Sequence, residues 1–207
     1  MFRLMLVTDR NDTAGRDLVA IVRAAVEGGV DCVQVREKDL DDGVLTMLVE
    51  RVLDAVARRA AVVVNGRPSV AGALGVGLHL AEGDPLPGEG QAVERRLHPL
   101  GRSVHSVDGA VRVAGDRLDY LLLGTINATT SKPGLVGSGA TLIRYVAEAV
   151  GPLPVMAIGG FDASNAGEAV LAGACGVAVR SALLRARDPA RAAEGILRAM
   201  DEADESP

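Results

Sequence analysis

Arg36, Lys38 and Lys132 are the residues best able to do chemistry in this chain. Of 22 basic residues only Lys38 and Lys132 are lysines; the rest are arginine. A position that keeps lysine in such a chain points to a need for a compact point charge rather than a planar fork. Lys38 lies two residues after Arg36 in VQVREKDL (33–40), and Lys132 lies in GTINATTSKPG (124–134). Two other stretches suit an anion. Gly159-Gly160 in AIGGF (157–161) is a turn whose backbone N–H groups can approach phosphate oxygens. Arg180-Ser181 in GVAVRSAL (176–183) ends another apolar run. Together these features point to an anionic small molecule carrying one or more phosphates. Of the three histidines, His105 in GRSVHS (101–106) is the candidate acid/base, because imidazole titrates near neutral pH. His79 in GLHL reads as a packed strand-end residue, and His98 in RLHPL as a surface loop residue.

These residues need a scaffold that gathers them. Short apolar runs alternate with helical periodicity along the whole sequence. Strands are expected at 3–7, 31–35, 61–64, 77–80, 102–106, 119–124, 154–160 and 175–180. Helices are expected at 13–28, 43–59, 69–75, weakly at 91–97, and then near 107–115, 140–150, 163–172 and 188–203. Continuous apolar strands separated by helices imply a parallel sheet covered on both faces. Eight such units close naturally into a single (β/α)8 TIM barrel, an α/β fold, with an open doubly wound sheet as the alternative. No G-x-G-x-x-G follows the first strand, which weakens a dinucleotide-binding version. Residues 1–207 read as one domain, with 201–207 a frayed acidic tail. In a barrel the C-terminal strand ends line the active face, and the residues named above fall there.

Composition bounds the partners. The net charge of −5 and an aromatic content of 2% exclude a broad basic nucleic-acid surface and base-stacking modules. The N-terminus turns charged too soon for a signal peptide, and no apolar run reaches a membrane span, so a cytoplasmic location is expected. Cys32 and Cys175 sit in apolar runs and read as buried, reduced strand thiols. A barrel of this size can expose apolar helix faces that would pair two copies as a homodimer.

VQVREKDL, VVVNGR (62–67), GLHLAEGD (77–84), GRSVHS, GTINATTSKPG, AIGGF and GVAVRSAL occur in this order. On them the chain resembles the thiamine phosphate synthase/TenI superfamily of small TIM barrels. The resemblance implies one of two activities in thiamine biosynthesis. A synthase joins hydroxymethylpyrimidine diphosphate to thiazole phosphate, with Mg²⁺ and release of pyrophosphate. A TenI-like tautomerase aromatises a thiazole carboxylate phosphate by proton transfer without a cofactor. By resemblance Gln34, Arg36, Lys38, Asn65, Ser103 and Lys132 match the pyrimidine-diphosphate site. Thr129, Thr130, Ser131, Gly159, Arg180 and Ser181 match the thiazole-phosphate site, with Gly160 completing the turn. Asp84 matches one of two Mg²⁺-binding aspartates; where the other usually stands, after asparagine, this chain has Gly66. A further departure is Asn127-Ala128, where the family usually has an aromatic residue and a proline. The missing carboxylate and the SVHS histidine favour the tautomerase, an isomerase with His105 as acid/base. The transferase is the alternative, and a non-catalytic regulator that binds a phosphorylated ligand is a third reading.

Overall fold

Four-residue runs such as LMLV and YLLL lack the length for a helix and are apolar throughout, as strands buried on both sides must be. The computed structural model describes residues 2–87, 98–128 and 137–205. In it the strands are β1 (Leu4–Val7), β2 (Cys32–Val35), β3 (Ala61–Asn65), β4 (Gly77–Leu80), β5 (Leu100–Val104), β6 (Tyr120–Leu123), β7 (Val155–Ile158) and β8 (Gly176–Val179). All pair in parallel, each with its successor, and β8 returns to β1 to close the barrel. The closure rules out the open sheet.

The helices are α1 (Leu18–Glu27), α2 (Asp42–Val56), α3 (Pro68–Leu74), α4 (Val107–Val113), α5 (Ala140–Val150), α6 (Ala166–Leu171), α7 (Ser181–Leu184) and α8 (Pro189–Asp204). Several begin where a side chain takes up an otherwise unpaired N–H group. Asp17 accepts from Ala20, Asp41 from Val44, Ser106 from Gly109 and Asp188 from Arg191.

Strand alternation divides the apolar residues into two cores. Leu4, Leu6, Val33, Val35, Val62, Val64, Leu121 and Leu123 face outward and pack under the helices. Met5, Val7, Cys32, Val63, Tyr120, Leu122, Met156 and Ala178 fill the barrel interior. Gly101 on β5 makes this filling possible, since a Cβ there would lie 2.0 Å from the Tyr120 ring.

Some bounds differ from the sequence expectation. The first helix starts at Leu18, not 13, because Asp17 caps it and residues Arg10–Asp12 form a separate 3-10 turn. β5 begins two residues early, held by the Leu100 N–H donating to Asp119 at 2.7 Å. His105 and Ser106 therefore lie just beyond the strand. The helix expected at 163–172 is shorter, and α7 is additional. The acidic tail is helical through Asp204, where Arg3 reaches Asp201 and Asp204 at 3.0 and 2.8 Å. Cys32 is buried in β2, but Cys175 is half-buried and precedes β8. The weak helix at 91–97 lies outside the described residues. Among the described residues no helix is long and apolar enough to cross a membrane.

Candidate active site

The C-terminal strand ends open into a cavity of about 860 Å³. Its base is apolar, formed by Val7, Leu122, Ile158 and Ala178 from inside the barrel. Its rim is polar and carries two groups of anion-binding character. From β2, β3 and β5 come Gln34, Arg36, Lys38, Asn65 and Ser103, with His105 beside them. From the ends of β7 and β8 come Gly159, Gly160, Arg180 and Ser181, with Phe161 and Asp162. All of these except Phe161 and Asp162 are expected site residues. Thr129, Thr130, Ser131 and Lys132 lie outside the described residues.

The first group is set by a buried anchor. Thr8 Oγ1 donates to Glu37 at 2.6 Å and accepts the Arg36 N–H at 3.0 Å. Glu37 also takes the Arg10 N–H and guanidinium. These bonds fix the backbone from which Arg36 and Lys38 reach the cavity. Burial, and then the positive charge of Arg180, lower the Arg36 pKa. Among the described residues no carboxylate lies within ion-pair distance of Arg36, so an anion in the cavity would relieve its cost.

The second group centres on Asp12, which is 6% exposed. Burial pushes its carboxyl pKa up, but hydrogen bonds from Ser181 and Arg185 outweigh this and leave it below the ordinary value. Arg180 also faces Asp12 at 3.3 Å and Asp9 at 3.2 Å. The Ser181 hydroxyl is thus committed to Asp12. The turn at Gly159-Gly160 has φ of +120° and +62°, and a Cβ at either would meet backbone within 2.8 Å. Glycine is required there by conformation and by space, and the turn presents backbone rather than side chains to the cavity.

His105 Nδ1 bonds the Gly124 carbonyl oxygen. A carbonyl only accepts, so Nδ1 carries the proton and Nε2 is the basic nitrogen of the neutral ring. Beneath the cavity His79, fully buried, has its pKa lowered to about 3 by burial and by Arg36 and Arg102.

Asp84 is not on the cavity wall. Its carboxylate accepts the Ala81 N–H at 2.8 Å, closing the loop after β4. Arg102, buried, ties the same loop by donating to the carbonyls of Glu82 and Asp84 at 3.0 and 2.7 Å. Glu82 does reach the wall, and Gly109 makes room for its carboxylate, since a Cβ there would lie 2.2 Å from Oε1. Gly66 has φ +63° and open space where a side chain would project. Among the described residues no three His, Cys, Asp or Glu side chains are grouped to hold a metal ion. A Mg²⁺ ion fits this wall only if phosphate oxygens of a ligand supply most of its coordination, since Glu82 and Asp162 are the carboxylate residues in the cavity lining.

Sequence reasoning missed Asp12, Tyr120 and Arg102. Strand alternation puts Tyr120 inside, in phase with Leu122, and that phase was the available signal. Nothing local marks Asp12, whose partners lie about 170 positions away.

The chain matches the family described as thiamine monophosphate synthase (TMP-TENI) over residues 4–183. It is 39% identical over 175 residues to a thiamine-phosphate synthase of Thermus thermophilus, covering 83% of this chain and 84% of that protein. It is 40% identical over 198 residues to a thiamine-phosphate synthase of Albidiferax ferrireducens, covering 92% and 88%. Among solved structures, a thiamine phosphate pyrophosphorylase from Pyrococcus furiosus superposes with a TM-score of 0.84 at 29% identity, covering 98% of this chain and 96% of that one.

Proposed function

This chain belongs to the thiamine monophosphate synthase family, and we propose that within it the protein is a transferase, joining hydroxymethylpyrimidine diphosphate to thiazole phosphate to give thiamine phosphate and pyrophosphate. The observation that carries this reading is the pairing of two anion-binding groups across one cavity. A tautomerase needs one phosphate grip; two grips facing a shared apolar base suit two phosphorylated substrates. The names of the relatives lean the same way, so the transferase displaces the isomerase favoured from the SVHS motif.

In this reading Arg36, Lys38, Asn65 and Ser103 hold the diphosphate end of the pyrimidine substrate, with Gln34 toward its ring. The Gly159-Gly160 turn and the backbone at Ser181 hold the thiazole phosphate, and Arg180 adds charge balanced by Asp9 and Asp12. The family resemblance adds Lys132, Thr129, Thr130 and Ser131 to the substrate-binding residues. The carbon–oxygen bond to the diphosphate breaks with its electron pair leaving on pyrophosphate, and the thiazole nitrogen donates a pair to the same carbon. Arg36 and Lys38 stabilise the charge gathering on the leaving group. Mg²⁺, when bound, supplies further neutralisation of that charge. The apolar base excludes water that would otherwise capture the carbon.

Supplying each substrate alone and then both with Mg²⁺ tests the reading. Thiamine phosphate should form only when both are present. If both fail but the thiazole carboxylate phosphate isomerises, the tautomerase reading replaces this one. That second reading has its own support: the Gly124 carbonyl holds His105 with Nε2 as its basic nitrogen, as a proton-transfer catalyst requires.

A further inference from the structure

Under the cavity runs a chain of polar groups buried inside the barrel. His79 and Tyr120 are 1% and 2% exposed, and their rings stack at 5.6 Å with 27° between planes. His79 Nδ1 lies 2.9 Å from the Tyr120 hydroxyl, and Nε2 lies 2.9 Å from Ser103 Oγ. Gly101 makes room for the Tyr120 ring in this stack. Gln34, also buried, directs Nε2 at Met5 Sδ, 3.7 Å away. Only Gln34 and Ser103 of the four reach the cavity wall.

The chain has a direction. A buried phenol O–H needs an acceptor, and the geometry offers Tyr120 one at His79 Nδ1, 2.9 Å away. Tyr120 then turns its own O–H to His79 Nδ1. A neutral imidazole that accepts at Nδ1 carries its proton on Nε2. Nε2–H donates to Ser103 Oγ, and the Ser103 O–H is left to point into the cavity. Burial keeps His79 neutral, so the direction does not switch near neutral pH.

We infer that Tyr120 and His79 are positioning residues that hold the Ser103 hydroxyl as a hydrogen-bond donor into the cavity, so that the ligand atom seated there is an acceptor, either a phosphate oxygen or a ring nitrogen. The direction of the chain is independent of the reaction; the identity of the acceptor rests on the two-substrate reading.

Two measurements test this. Nitrogen-15 NMR of the His79 ring should show the proton on Nε2 from pH 8 to pH 5, and Tyr120→Phe should mix the two tautomers. A proton on Nδ1 in the unaltered protein overturns the inference. The second measurement is binding of inorganic pyrophosphate and, separately, of hydroxymethylpyrimidine. Tyr120→Phe and Ser103→Ala should each weaken one of these probes by about fivefold, as expected for one misdirected hydrogen bond. Whichever probe weakens identifies the acceptor. The double variant should bind no worse than Ser103→Ala alone, because Tyr120 acts through Ser103. Additive losses would mean that Tyr120 merely supports the barrel, and would overturn the inference. His79→Gln, which keeps an N–H near Ser103, should recover most of the binding that His79→Phe loses. If the unaltered protein has the Nε2–H tautomer but binds neither probe, the two-substrate reading fails and the direction of the chain stands.

Discussion

Lowering the pH from 7 to 5 should cost this protein stability through His79 in particular. The ring sits inside the barrel with both nitrogens engaged, and its pKa falls to about 3. In the unfolded chain an imidazole has its ordinary pKa of about 6.5. Between these values the unfolded state binds more protons than the folded one, so stability rises with pH across the window from about 3 to about 6.5. At pH 5 the folded ring is still neutral, so the unfolded value alone sets the size of the effect. Proton linkage gives a loss of about 2 kcal/mol between pH 7 and pH 5. For a chain of this length that corresponds to a fall in Tm of roughly 4–8 °C. The assay is urea unfolding of the unaltered protein and of His79→Gln at both pH values. Glutamine does not titrate in this range, and whatever titrates in both proteins cancels in the comparison. The unaltered protein should lose about 2 kcal/mol more than the variant. Equal losses, within about 0.5 kcal/mol, would refute the claim that the barrel holds His79 neutral.

Other changes have equally definite outcomes. Gly101→Ala should destabilise the protein by about 1–3 kcal/mol in denaturant titrations, because its Cβ would overlap the Tyr120 ring. Asp12→Ala should cost about 2–3 kcal/mol at neutral pH and weaken binding of thiazole phosphate in calorimetry, since Ser181 and Arg185 lose their partner and Arg180 loses one of its two carboxylates. The contribution of Asp12 is present above the unfolded carboxyl pKa and is lost as pH falls through its lowered folded value. Gly66→Asp adds a carboxylate in open space at the cost of a left-handed backbone for a non-glycine residue. It should lower the Mg²⁺ concentration for half-maximal activity several-fold, and an unchanged Mg²⁺ titration would count against metal binding beside Asn65.

Local chemistry made much of this legible from sequence. Apolar runs too short for helices marked the eight strands, and residues at the ends of several runs fell on the cavity wall, as at Arg36, Asn65, Gly159 and Arg180, while Thr8 after β1 instead anchors Glu37. What escaped depended on distant contacts. Asp119 sets the start of β5, and Arg3 extends α8 to Asp204 from the other end of the chain. Four residues cannot display a helical period, so α7 was invisible. Ser181 was read as a phosphate ligand by position, yet its hydroxyl is turned to Asp12, a partner no local pattern reveals. Asp84 was named from its motif, but the loop closes on its carboxylate.

The two-substrate account is tested most directly by phosphorus-31 NMR of the protein mixed with hydroxymethylpyrimidine diphosphate, thiazole phosphate and Mg²⁺. The diphosphate signals should give way to inorganic pyrophosphate, one molecule for each thiamine phosphate formed, with no pyrophosphate when thiazole phosphate is left out. Unchanged diphosphate signals from folded protein, or pyrophosphate released without thiamine phosphate, would contradict it.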